Sequence, residues 1–106
     1  MRIIFDNSRN PKIKEAAEYW DKKGLVANCV VEEAAELIQA VNKFERWRLA
    51  DPDERANTNV GPLTDNVISE IGDILISIDM YLHVYGYDEG CILNYMKNKL
   101  DQKKEV

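Results

Sequence analysis

Two short clusters of carboxylates have the spacing to act together: Glu32, Glu33 and Glu36, then Glu70 and Asp73. At about 100° per residue on a helix, Glu32, Glu33 and Glu36 fall within an arc of about 100°. Lys43 lies two turns beyond Glu36, over the same stripe. In the second segment Asn66, Glu70, Asp73 and Ser77 form a narrow polar line, each one turn from the next. Helices packed side by side would bring the two stripes edge to edge. Two like charges in contact repel by about 1 kcal/mol even at the dielectric of water. Such crowding has a rationale if a hard cation sits among the oxygens. An oxygen-only ligand set suits Mg²⁺, with Mn²⁺ able to substitute. The plain alternative is a pair of solvated helix faces, since Glu is a good helix former and acidic runs are common.

The elements that must position these residues are helices. Asn10-Pro11 is a helix start, with Asn as N-cap and Pro at the first helical position. Ile13, Ala16, Ala17 and Trp20 recur at helical spacing up to Gly24, a natural stop. A long second helix is predicted from about Val26 to Leu49, ended by Asp51-Pro52, with a helical turn possible after Pro52. Its apolar half comprises Val30, Val31, Ala34, Ala35, Leu37, Ile38, Val41 and Phe44. A third helix is predicted from Thr64 or Asp65 to Tyr85, capped by Gly86, with Val67, Ile68, Ile71, Ile74, Leu75, Ile78 and Leu82 on its apolar face. Asp88 caps a fourth that reaches about Gln102. Only Arg2 to Phe5 offers a weak strand. The class is all-α, one domain over residues 1–106, a bundle of four to five helices.

The chain has 106 residues, 45% hydrophobic and 31% charged, the composition of a folded globular domain. A core of this size is modest, and small helical chains often complete theirs by oligomerising. The expectation is a homodimer or homotetramer, built by packing the second and third helices across a symmetry axis. A formal net charge of −5 argues against a broad nucleic-acid surface, and a phosphate substrate would need a bridging cation. Cys29 and Cys91 form no ligand pattern and read as reduced thiols of a cytoplasmic protein. No apolar run is long enough to span a membrane.

Glu32-Glu33-Ala34-Ala35-Glu36 followed by Glu70-Ile71-Gly72-Asp73 resembles the EExxE…ExxD signature of the MazG-like and dimeric dUTPase superfamily of all-α nucleoside triphosphate pyrophosphohydrolases. The flanks EEAAELIQAVNK and NVISEIGDILISID are similar to that family's two motif helices, and the likeness extends from about Val26 to Leu100. The resemblance implies a Mg²⁺-dependent enzyme that converts a (d)NTP and water to a (d)NMP and pyrophosphate, a house-cleaning activity on the nucleotide pool. It implies Glu33, Glu36, Glu70 and Asp73 as metal ligands. Catalysis would fall to Glu32, Glu33 and Glu36, with Glu32 an additional ligand or the group that orients the attacking water. Lys43 and Lys99 are candidates to hold the phosphate tail. Asn66 either bonds substrate or a ligand carboxylate, or caps the third helix. Three features depart from the pattern: Ser69 stands where many relatives have Glu, Gly72 where Ala is usual, and the linker between the motifs is longer.

Trp20 and Trp47 are either stacking platforms for a base or core residues. His83 reads as a helix-end surface residue, and Arg46 and Arg48 as solvated. A di-iron centre would need Glu-x-x-His pairs, which are missing here. Phosphoribosyl-ATP pyrophosphohydrolases end the ExxD helix with an aromatic–histidine pair, where this chain has Ile74-Leu75-Ile76-Ser77. The competing class is a catalytically inactive helical interaction protein on the same scaffold.

Overall fold

The computed structural model describes residues 10–104. Among these residues every regular element is a helix: α1 (Pro11–Lys22), α2 (Val26–Arg48), α3 (Pro52–Ala56), α4 (Gly61–Tyr85) and α5 (Glu89–Lys104). The weak strand expected at Arg2 to Phe5 lies outside the described residues. No described helix is long and apolar enough to cross a membrane.

Local chemistry sets most of the boundaries. Asn10 caps α1 by accepting from the Lys12 N–H at 3.0 Å, with Pro11 next in line. Gly24 ends that helix region at φ 67°, a left-handed conformation that costs Gly little. Asp51 caps α3 through the Glu54 N–H at 3.0 Å. Gly86, at φ 66°, closes α4 with its N–H on the Leu82 carbonyl. Asp88 then accepts from the Gly90 N–H at 2.8 Å and opens α5. The start of α4 corrects the sequence expectation. The helix begins at Gly61, not at Thr64 or Asp65, after Val60, which offers no side-chain cap. Pro62 sits in its first turn, where a missing N–H is harmless. Asn66 therefore lies inside α4 and is not its cap.

The helices α2 and α4 form the main packed pair, and α1 lies chiefly against α4. Val26, near the start of α2, shares a core cluster with Met80, near the end of α4, while Glu33 meets Glu70 and Asp73. The pair is antiparallel. Ile13, Ala17, Val26 and Met80 are the buried centre of that cluster, ringed by Ala16, Trp20, Cys29, Tyr81 and Val84.

The rest of the apolar face stays open. On α2, Val31 and Ile38 are 67% and 61% exposed, and on α4 Ile68 and Ile71 are 63% and 43% exposed. On each helix these positions lie about 140–160° round from Glu36 or Asp73. Because the helices run antiparallel, both carboxylate edges fall on one side of the pair and both open apolar edges on the other. The radius of gyration is 17.2 Å, against about 13 Å for a compact chain of this length. Among the described residues, α5 packs face to face with no other helix.

One buried charge stands apart. Asp79 on α4 is 2% exposed, and neither carboxylate oxygen has a hydrogen-bond partner. Burial, with the Glu89 charge adding to it, pushes its carboxyl up to about 6. The unfolded value is about 3.9, so across that window the folded state holds more protons than the unfolded one. Stability therefore falls as pH rises from about 4 to about 6, and stays reduced above it. Asp79→Asn should raise the melting temperature at pH 8 by a few degrees (roughly 2–5 °C) and change it much less at pH 4. Thermal melts at the two pH values check this; an equal gain at both, or a loss confined to pH 8, contradicts an unsatisfied carboxylate.

Candidate metal centre

The register of α2 half-buries Glu33. It follows Val26 and Cys29 at spacings of seven and four, on the edge that meets α4. Glu70 is half-buried for the matching reason, one turn before Asp73 and two before the buried Ser77. One carboxylate oxygen from each of Glu33, Glu70 and Asp73 comes within 4.8 Å of the others. Glu33 and Glu70 each also hold an oxygen that is cut off from solvent and has no partner.

Glu36 completes the group. Its carboxylate lies near enough to Glu33 and Glu70 to add like charge to both. The Glu33 carboxyl is raised above the ordinary range by burial first, then by the charges of Glu36, Asp73 and Glu70. Glu70 is raised by burial and then by Glu36 and Asp73. Among the described residues the ion pairs are Arg48–Glu45 at 2.7 Å and Lys97–Asp101 at 3.2 Å, and neither touches the cluster. Among the described residues no side-chain cation pairs with the cluster. The four carboxylates on which the sequence motif converged are thus neighbours, three in close reach of one point and Glu36 against two of them. Ligands of an octahedral Mg²⁺ at 2.0–2.1 Å lie about 3–4 Å apart, so small side-chain rotations would close the set. Unpartnered buried oxygens and an all-carboxylate donor set both fit a hard cation.

Glu32 is exposed and stands beside the cluster. It lines a cavity of about 250 Å³ with Trp20, Leu25, Asn28, Cys29 and Glu33. A second cavity of about 170 Å³ adjoins, lined by Trp20, Cys29, Glu33, Asp73, Ile76, Ser77 and Met80. Trp20, Cys29 and Glu33 belong to both, so the end of α1 gives the cluster an aromatic wall. Trp20 is held edge-on to Tyr19, with ring centroids 5.2 Å apart. Lys23 Nζ donates to the Tyr19 hydroxyl at 2.8 Å and lies 5.6 Å from the Trp20 ring. Burial, then the charges of Glu32 and Glu33, push the Cys29 thiol up, which keeps it protonated and unreactive.

The other predicted site residues lie farther out. Lys43 is exposed two turns beyond Glu36, about 10 Å along α2. Asn66 is exposed one turn before Glu70, and Lys99 is exposed on α5, off the α2–α4 edge. Trp47 packs on Phe44 at 5.7 Å, with its indole N–H buried and unpartnered. His83 is exposed near the end of α4, and Arg48 is engaged by Glu45. Asn28 and Cys29 carried no motif signal; the only hint was their place one turn before Glu32 and Glu33.

Compared with known proteins, the chain matches no family model, no curated protein and no solved structure.

Raised carboxyls make the metal-free chain lose stability as pH climbs out of the carboxylate range, because the native state there holds protons that the unfolded state has released. A bound cation needs those carboxylates ionised, so its stabilisation should grow as pH rises. Melting curves from pH 4.5 to 8, with and without about 10 mM Mg²⁺, should diverge towards high pH by several degrees. Curves that stay superimposed contradict a cation site.

Proposed function

We propose that the chain is a Mg²⁺-dependent nucleoside triphosphate pyrophosphohydrolase, acting at the edge where α2 meets α4. The observation that carries this reading is the convergence of Glu33, Glu70 and Asp73, with Glu36 beside them. The resemblance of EEAAE and EIGD to the MazG-like signature supplies the reaction class. Those four carboxylates would hold the metal. Bound there, Mg²⁺ would neutralise phosphate oxygens and make its water a better nucleophile.

The chain's own residues would do the rest. Glu32, exposed at the rim, would orient the attacking water and take its proton. The water oxygen forms a bond to the α-phosphorus while the bridging α–β bond breaks, and pyrophosphate leaves with that electron pair. The nucleoside would lie in the cavities beside Trp20, which puts its base near Asn28 and Ser77. The tail would run the other way along α2, towards Lys43 and Asn66. Lys99 has no place in this arrangement, since α5 is not packed on this edge.

The open apolar face of α2 and α4 supports a homodimer or homotetramer. The same face favours a second reading, a catalytically inactive interaction protein. Activity assays with Mg²⁺ over the NTPs and dNTPs separate the two. Hydrolysis should yield pyrophosphate and a monophosphate, and fall by at least about 100-fold in Glu36→Gln and Asp73→Asn. Their metal-free melting temperatures should be equal to or above the parent's, because like charge has been removed. Trp20→Ala should raise KM more than it lowers kcat. Hydrolysis that is undetectable for every nucleotide, or that persists in both amide variants, favours the interaction protein.

A further inference from the structure

The last helix is the least explained part of the molecule. α5 is about 24 Å long and, among the described residues, lies face to face with no other helix. Yet Ile92, Met96 and Leu100 follow one another at a spacing of four and make one apolar side, with Met96 38% and Leu100 60% exposed. A helix of this length is marginal alone in water, and Gly90, Asn94 and Asn98 weaken it further. It needs something to pack on.

A surface of matching size is open on the same chain, but α5 does not reach it. Val31, Ile38 and Leu49 lie exposed along about 27 Å of α2, with Asn42 and Glu45 between the last two, and Ile68 and Ile71 of α4 widen the face. Charge matches as well. Residues 10–85 carry eight basic and fourteen acidic side chains, whereas α5 carries four lysines and two acids. The helical body is acidic and the arm basic.

We propose that α5 is an exchanged arm, which seats its Ile92–Met96–Leu100 side on the open apolar face of α2 and α4 of a second copy. This rests on the assembly part of the reading above and not on its chemistry. Two apolar surfaces left open within one chain are closed by each other between chains, and a basic helix is drawn to an acidic body.

Light scattering across micromolar concentrations tests it on the full-length chain. The parent should scatter as a multiple of 12.2 kDa. The double variant Met96→Asp/Leu100→Asp should weaken self-association by at least about 100-fold. Asn94→Asp/Asn98→Asp adds the same charge on the opposite side of α5 and should leave association within about threefold. A second measurement places the arm directly. The exposed Cys91 of the parent should cross-link through a short bis-maleimide to a Cys91→Ser/Ile71→Cys chain mixed with it. An assembled parent whose association is unchanged by Met96→Asp/Leu100→Asp overturns the arm and leaves the assembly standing. A parent of 12.2 kDa overturns both. Neither result bears on hydrolysis, which the pyrophosphate assay reads separately.

Discussion

The antiparallel packing of α2 on α4 is the constraint from which the other features follow. Once Val26 is fixed beside Met80, the helical repeat carries Glu33 to the level of Asp73 and Glu70, with Glu36 one turn on. While that contact stands, the two backbones hold the four positions together. The three glutamates are good helix formers, but with Asp73 they leave oxygens of Glu33 and Glu70 buried without partners. Proteins seldom keep such groups unless something satisfies them. A hard cation would satisfy all of them at once and turn the repulsion of like charges into a binding energy.

The same geometry divides the helix pair into two faces. One edge holds the carboxylates, Trp20 and the two cavities; the other holds Val31, Ile38, Ile68 and Ile71 in the open. A single chain of 106 residues can cover one of these with α1. The other stays open. A small core between α1, α2 and α4 thus leaves the crowded carboxylates on one side and an apolar face on the other. Asp79 adds a further cost in the same helix, a buried carboxylate with nothing to bond.

Much of this was legible in the residues. The cap at Asn10-Pro11, the break at Asp51-Pro52 and the glycine stop at Gly86 each have a local cause, and each element formed where that cause lies. The grouping of Glu33, Glu36, Glu70 and Asp73 was legible too, because wheel position and motif spacing point to the same edge. The start of α4 was hidden, since Val60 has no capping side chain and Gly61-Pro62 reads as a turn. Periodicity also fails to separate Leu37, half-buried against α4, from Ile38, which is open: both belong to a broad apolar half-cylinder. Asp79 passed unnoticed inside the run Ile74 to Leu82, and the cavity residues Asn28 and Cys29 became visible only when α1 closed over them.

Calorimetric titration of the metal-free chain with Mn²⁺ at neutral pH tests whether the crowded carboxylates are a cation site. Saturable binding is expected, weakening as pH falls because burial and like charge raise the Glu33 and Glu70 carboxyls, and it should be lost in Glu70→Gln. Absence of binding by the parent chain, or undiminished binding by Glu70→Gln, would contradict a cation site.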